Sequence, residues 1–157
     1  MSSVLMVHGG AWNIPDNLVE PSKVGCQHAL EEAWRVLTQG GSAVDAVERA
    51  VVVLEDDPIF DAGVGSHLNR DGRVQLDAII MDGRTLESGA VAGVEHIKNP
   101  IRLARAVLER SEHMLLVGTG AEQFAHETGI PLCDPQELIV PREVGIWKDC
   151  RRDPGFA

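Results

Sequence analysis

No apolar run in this sequence approaches the ~20 residues that a membrane-spanning helix needs, so a helical membrane protein is not expected. The opening Met1-Ser2-Ser3 has no basic character, and the apolar run Val4 to Val7 is too short for the core of a signal peptide. A cytoplasmic protein is the default expectation. Cysteine is scarce: Cys26, Cys133 and Cys150 are odd in number and far apart. No Cys-x-x-Cys pair exists, so zinc-ribbon and thioredoxin-like readings have no support. Free thiols in a reducing compartment fit best. Positive charge is also short, with 14 Lys and Arg against 24 Asp and Glu and a net charge of −10. That field repels nucleic acid and anionic membranes, and only Arg151-Arg152 form a local basic pair. Nucleic-acid and membrane partners are therefore not expected. The six histidines (His8, His28, His67, His96, His113, His126) include no His-x-x-x-His pair. There is no Asp-x-Asp-x-Asp-Gly calcium loop, no recognisable Ser-His-Asp motif and no internal repeat.

What is present describes one domain. The chain has 157 residues, 44% hydrophobic and 24% charged, enough for a real core. Val4 to Val7 reads as a buried strand ended by Gly9-Gly10. Residues 11–21 read as a loop, with Asn13, Pro15, Asp16 and Pro21 as breakers. Ala29, Leu30, Ala33, Trp34 and Leu37 recur at helical spacing, and Gly40-Gly41 stops that helix. Ser42-Ala43-Val44-Asp45 resembles a capping box with Asp in place of Glu. Ala43, Val44, Ala46, Val47, Ala50, Val51 and Leu54 then form the apolar face of a second helix. The pair reads as a helical hairpin on one side of a sheet.

Further on, the period changes to two. Val74, Leu76, Ala78 and Ile80 alternate with Arg73, Gln75 and Asp77, as a half-buried strand should. Asp71-Gly72 signals a hairpin back to Ser66–Asn69. Asp82-Gly83 signals a second turn, and residues 88–94 a small-residue strand, so the middle of the chain reads as an antiparallel meander. Asn99-Pro100 opens a helix, with Asn at the N-cap and Pro at the first position. Residues 114–117 read as a short buried strand and residues 121–127 as a helix ended by Gly129. Beyond Pro131 the periodicity fades into a tail with Pro135, Pro141 and Pro154.

The stretch from Asp57 to Ser66 carries most information. Ala62, Gly63 and Gly65 mark backbone that must bend sharply or admit a close approach. Four carboxylates, Glu55, Asp56, Asp57 and Asp61, stand where a helix ends and its own carbonyls already make the field negative. Two readings follow: a solvated acidic loop, or a cation site built from loop carbonyls and a carboxylate. Elsewhere, Val117-Gly118-Thr119-Gly120-Ala121-Glu122-Gln123 looks like half of a dinucleotide-binding loop. It lacks the third glycine and the flanking βαβ context, so a tight turn opening a helix is preferred. His8 ends the first strand against Gly9-Gly10, whose accessible N–H groups suit an oxyanion.

Seven segments together carry a family resemblance. They are His8-Gly9-Gly10-Ala11, residues 41–47, Pro58-Ile59-Phe60-Asp61-Ala62-Gly63-Val64-Gly65-Ser66, Leu76-Asp77-Ala78, Met81-Asp82-Gly83, residues 89–94 and Asn99-Pro100-Ile101. In this order they resemble the α subunit of plant-type asparaginases, also called isoaspartyl peptidases, within the N-terminal nucleophile hydrolases. The likeness runs from residue 4 to about residue 128 and covers the first half of the family's precursor.

The resemblance implies an α+β fold, an αββα sandwich of the N-terminal nucleophile hydrolase type. This chain would be the α half, completed by a β subunit. Residues 1–130 would supply that half, and residues 131–157 a poorly patterned tail leading to the autocleavage site. In the family the precursor cuts itself before a threonine. That new N-terminal Thr attacks a side-chain amide or β-aspartyl bond, with its own α-amino group as base. Thr-Val-Gly, the family's cleavage motif, occurs nowhere here. No catalytic residue is then expected in this chain, which alone would be inactive and would leave an apolar sheet face in water. Gly9, Gly10 and Asp61 would be neighbours of the active site, Asp61 replacing the usual Asn. The residues that clamp substrate lie mostly in the β subunit. A structural Na⁺ or K⁺ is implied, held by main-chain carbonyls of Leu54, Glu55, Asp57, Phe60, Ala62 and Val64. No cofactor for catalysis is expected. The assembly would be an (αβ)₂ heterotetramer acting on asparagine or β-aspartyl dipeptides. Phe156-Ala157 departs from the Gly or Asp that ends this subunit in relatives. Two rivals stand beside this reading: a glycosylasparaginase-type amidase α subunit, and a non-catalytic binding or scaffold module.

Overall fold

The computed structural model describes residues 3–152; Phe156 and Ala157 lie outside them. The helical hairpin forms first along the chain. Helix α1 spans Asp16–Thr38 and helix α2 spans Ala43–Asp56. They meet through alanines, with Ala29, Ala33, Ala46 and Ala50 buried, because small side chains let two backbones approach closely. The capping box at Ser42 and Asp45 forms as the sequence suggests. Asp45 is drawn down to about 2, first by the Ser42 backbone N–H, then by its hydroxyl and by Arg105. Helix α1 starts five residues before the expected end of the loop and carries Pro21 inside it. Near a helix N-terminus proline removes one backbone bond, and burial along a 23-residue helix outweighs it.

Strand β1 (Leu76–Asp82) and strand β2 (Glu87–Val94) form an antiparallel hairpin. Helix α3 (Pro100–Arg110) then crosses over to strand β3 (Leu115–Val117), which lies parallel to β2. Helix α4 (Gly118–Thr128) follows and ends at Gly129 in the left-handed region. The expected meander is therefore a single hairpin plus a parallel strand. The Asp71-Gly72 turn exists, with Gly72 N–H donating to Asn69 C=O at 2.9 Å, but residues 66–69 are not a strand. Two other expectations fail. Residues 4–7 are not a buried strand; Val4 and Met6 are 86% and 87% exposed, while Leu5 and Val7 touch the α1–α2 cluster. Their alternation is strand-like, but no described strand pairs with them. Strand β3 also exposes Leu115 and Val117 at its ends.

The helices cover one face of the sheet only. Leu76, Ile80, Val91 and Val94 pack with Ile101, Leu103, Ala104 and Val107 of α3 in the main core. A Cβ on Gly89 would lie 2.3 Å from the Ala104 carbonyl oxygen, so glycine lets α3 rest directly on β2. On the opposite face Ile79 and Met81 are 67% and 51% exposed, beside Leu115 and Val117 of β3. No helix among the described residues is long and apolar enough to cross a membrane.

The tail expected to lack order is built. A 3₁₀ turn (Pro135–Leu138) and helix α5 (Pro141–Arg152) follow α4. Leu138 is fully buried, and its carbonyl accepts from Gly65 N–H at 2.8 Å. Trp147 Nε1 donates to Asn69 C=O at 3.0 Å and its ring covers Gly72. These anchors are non-local, so the tail's own sequence gives no periodic sign of them.

Two features join α2 to the rest. After Asp57 the chain turns back, so that Val64 N–H donates to the Glu55 carbonyl at 2.9 Å. Gly63 makes that return possible: its φ is +145°, and a Cβ there would sit 2.4 Å from the Glu55 carbonyl oxygen. The Glu55 side chain, 2% exposed, accepts from Ile101 N–H at 3.0 Å and so caps α3. Its Oε2 has no partner among the described residues. Burial pushes the carboxyl up to about 8, opposed by the Ile101 N–H, so it holds its proton at neutral pH.

Gly63→Ala is expected to cost about 2–4 kcal/mol through backbone strain and overpacking, measured by denaturant unfolding. For Glu55 the folded value lies above the ordinary 4.5. Its contribution is therefore complete below about pH 4.5 and is lost as pH climbs through about 8. Thermal melts of Glu55→Gln and the parent are expected to coincide in acid and to separate in the variant's favour towards pH 8, whereas Glu55→Ala is destabilised by about 1–3 kcal/mol in acid, a deficit that shrinks towards pH 8 because Ala too has no proton to lose.

Candidate active site

A cleft of about 270 Å³ opens where the N-terminal segment, the returning loop and the start of α5 meet. Phe60 is the hinge of that meeting. A Cβ on Gly9 would lie 2.7 Å from the Phe60 ring, and one on Gly25 of α1 would lie 2.6 Å from it. Two glycines thus clasp one aromatic ring and fix the N-terminal segment against the loop. Gly10 adopts φ +102° with open space around it, so its need for glycine is conformational. Its N–H donates to His8 Nδ1 at 3.1 Å, which leaves the hydrogen of a neutral His8 ring on Nε2.

The loop holds its own shape. Asp57 accepts from Ile59 N–H through Oδ1 at 3.0 Å, and its carbonyl accepts from Phe60 N–H at 3.1 Å. Buried Ser66 accepts from Gly63 N–H through its hydroxyl at 2.8 Å. Between these ties Asp61 faces the cleft, its side chain 57% exposed. Asp61 Oδ1 accepts from His67 N–H at 2.9 Å. His67 Nδ1 meets Glu143 of α5 at 2.5 Å, and Glu143 also takes Arg142 Nε at 2.7 Å. Trp12 sets its edge against the His67 ring at 6.5 Å.

The structure therefore brings Gly9, Gly10 and Asp61 into one cleft, together with Leu54, Phe60 and Ala62 of the expected cation loop. Glu55, Asp57 and Val64 lie behind that wall and hold it through the bonds above. Sequence reasoning missed Trp12, His67, Arg142 and Glu143. His67 has no local motif, and the acidic residue two positions into a Pro-started helix was the only sign of Glu143.

The carbonyls of the loop suit a cation. Pro58 stands four residues after Leu54 and has no N–H, so the Leu54 carbonyl lacks its helical donor. The Glu55 and Asp57 carbonyls each accept one bond from the loop itself, leaving a lone pair. No turn or loop bond among the described residues reaches the carbonyls of Phe60, Ala62 or Val64. No cluster of three His, Cys, Asp or Glu side chains that could hold a metal exists among the described residues. A hard ion held by this loop would therefore take main-chain oxygens as its donors.

Among the described residues no serine, threonine or cysteine lines the cleft. Burial, then the nearby Asp57 charge, raises the Cys26 thiol, and burial raises Cys133, so neither is an activated thiolate. The Gly118–Gly120 segment lies elsewhere. It follows a parallel β2–α3–β3 unit, which the sequence did not suggest, but opens α4 as an ordinary helix start.

The sequence matches the family described as "Asparaginase" over residues 1–156. It is 48% identical over 147 residues to an isoaspartyl peptidase/L-asparaginase of Xenopus laevis, covering 94% of this chain and 48% of that protein. It is 50% identical over 167 residues to the protein of that name from Rattus norvegicus, covering 99% and 50%. A plant-type L-asparaginase of Pyrococcus horikoshii is 47% identical over 148 residues, covering 94% and 47%. The chain spans about half the length of the curated relatives it matches. With two of the quoted motifs, His8–Ala11 and Pro58–Ser66, meeting in one cleft, and with the match running almost end to end, this chain belongs to the asparaginase family.

Proposed function

We propose that this chain is the α half of an autoprocessed amidohydrolase that releases aspartate from L-asparagine and β-aspartyl dipeptides. The observation that carries the reading is a formed cleft, walled by Gly9, Gly10 and Asp61, in which no hydroxyl or thiol side chain stands among the described residues. A threonine from a partner β subunit, cut from the same precursor, would enter it. Its hydroxyl attacks the β-carbonyl carbon of the substrate, and its own α-amino group takes the proton. The amine leaves, and water then releases aspartate from the ester. Here Gly9 and Gly10 keep the wall thin enough for close approach, and Asp61 sets the charge beside the reacting centre.

Two further observations support a missing partner. The relatives are about twice as long as the chain. The sheet face of Ile79, Met81, Leu115 and Val117 is left to water, and burying such a face drives association. We infer an αββα sandwich closed by that subunit, and an (αβ)₂ assembly. The carbonyls of Leu54, Glu55, Asp57, Phe60, Ala62 and Val64 would hold Na⁺ or K⁺, which stiffens the loop and offsets the negative carbonyl end of α2. The free cysteines suit a reducing, cytoplasmic setting.

The test is to express the whole precursor, take its intact mass under denaturing conditions and assay aspartate release. Two polypeptides, one beginning with Thr, and turnover of both asparagine and a β-aspartyl dipeptide are expected. An uncut chain that hydrolyses neither substrate contradicts the reading.

A further inference from the structure

His67 stands between two carboxylates from distant parts of the chain. Its Nδ1 lies 2.5 Å from Glu143 Oε2, and its Nε2 lies 3.9 Å from Asp61 Oδ2. Glu143 is 1% exposed and spends its other oxygen on Arg142. An ionised carboxylate only accepts hydrogen bonds, so the Nδ1 hydrogen points to Glu143 and the ring orientation is fixed. The same residue's backbone N–H holds Asp61 Oδ1 at 2.9 Å. A buried acid on α5 thus braces a histidine, and the histidine braces the one carboxylate that faces the cleft freely.

Among the described side chains that carboxylate has no Lys or Arg partner, only His67 Nε2 at 3.9 Å. Arg142, the cleft's arginine, is engaged by Glu143. Asp61 is therefore a placed negative charge with room beside it, and such a charge favours a cationic group by several-fold when both are partly desolvated. Every β-aspartyl substrate shares the aspartyl half, so this preference can distinguish substrates only through the group that leaves.

We propose that Asp61 is a specificity-determining residue that makes the cleft prefer β-aspartyl substrates with a cationic leaving group, and that His67, braced by Glu143, is its positioning residue. This rests on the reading of the cleft as an amidohydrolase site. Position is part of the claim: a carboxylate free to swing away would be solvated and would discriminate weakly.

The experiment uses the full, processed protein with β-aspartyl-lysine and β-aspartyl-norleucine, which differ chiefly by the ammonium group. The parent is expected to show a kcat/KM ratio of about five to ten in favour of lysine at low salt, shrinking as ionic strength rises. Asp61→Asn brings the ratio close to one, with the loss falling on KM more than on kcat. His67→Ala also lowers the ratio although Asp61 is retained, and His67→Gln, which can still donate to Glu143, restores part of it. Equal turnover of the two dipeptides by the parent, or a preference that survives Asp61→Asn, overturns the proposal while leaving the amidohydrolase reading intact. A ratio unchanged in His67→Ala overturns the positioning role. No turnover of any β-aspartyl substrate overturns both readings together.

Discussion

The contact between Gly63 and the Glu55 carbonyl is the constraint on which the site depends. Helix α2 ends in a run of acids, and its chain must reverse at once to reach the sheet. It does so only because residue 63 has no Cβ: its φ of +145° and the 2.4 Å approach leave no space for one. Once Val64 N–H has closed onto Glu55 C=O, the residues between are held as a ring. Phe60 points back between Gly9 and Gly25, Asp61 faces outward, and Gly65 N–H reaches the Leu138 carbonyl. One backbone contact therefore ties the N-terminal segment, both long helices and the tail to one place. Glu55 serves twice, since its carbonyl closes the ring while its side chain caps α3.

The sheet shows the opposite situation, an element left half-finished. Helices α3 and α4 cover one face, where Val91, Val94, Leu103 and Val107 are essentially fully buried. On the other, Ile79, Met81, Leu115 and Val117 are half to two-thirds exposed and forfeit that share of the roughly 1.5–3 kcal/mol that full burial of each would supply. Residues 4–7 show the same deficit. They alternate as a strand does, yet have no described neighbour to pair with.

Much of this was legible in the sequence where the signal is local. The capping box, the alanine-lined hairpin, the period-two run at Leu76–Ile80 and the glycine stop of α4 each follow from side chains within a few residues. The glycine-rich loop was also legible as backbone that must bend, although not what it bends against. Other features depended on distant partners. The burial of Glu143 and Leu138 comes from contacts with residues 67 and 65, more than seventy positions earlier, so the tail read as patternless. His67 was missed because neither of its carboxylate neighbours is adjacent in sequence. Pro21 read as a breaker because the cost of one lost backbone bond is visible locally and the burial that outweighs it is not. The parallel pairing of β3 with β2 was obscured by the shortness of β3, three residues between a loop and a helix.

The account rests on the loop from Asp57 to Ser66 being a rigid platform and not a solvated acidic turn. Amide hydrogen exchange on the whole protein measures this most directly. Val64 and Gly65 N–H groups are predicted to exchange as slowly as those of β1 and β2, because their acceptors are the Glu55 and Leu138 carbonyls of the folded core. Exchange at those two sites as fast as in the exposed turn at Arg70–Asp71 would contradict it, and would return the loop to an ordinary mobile surface segment.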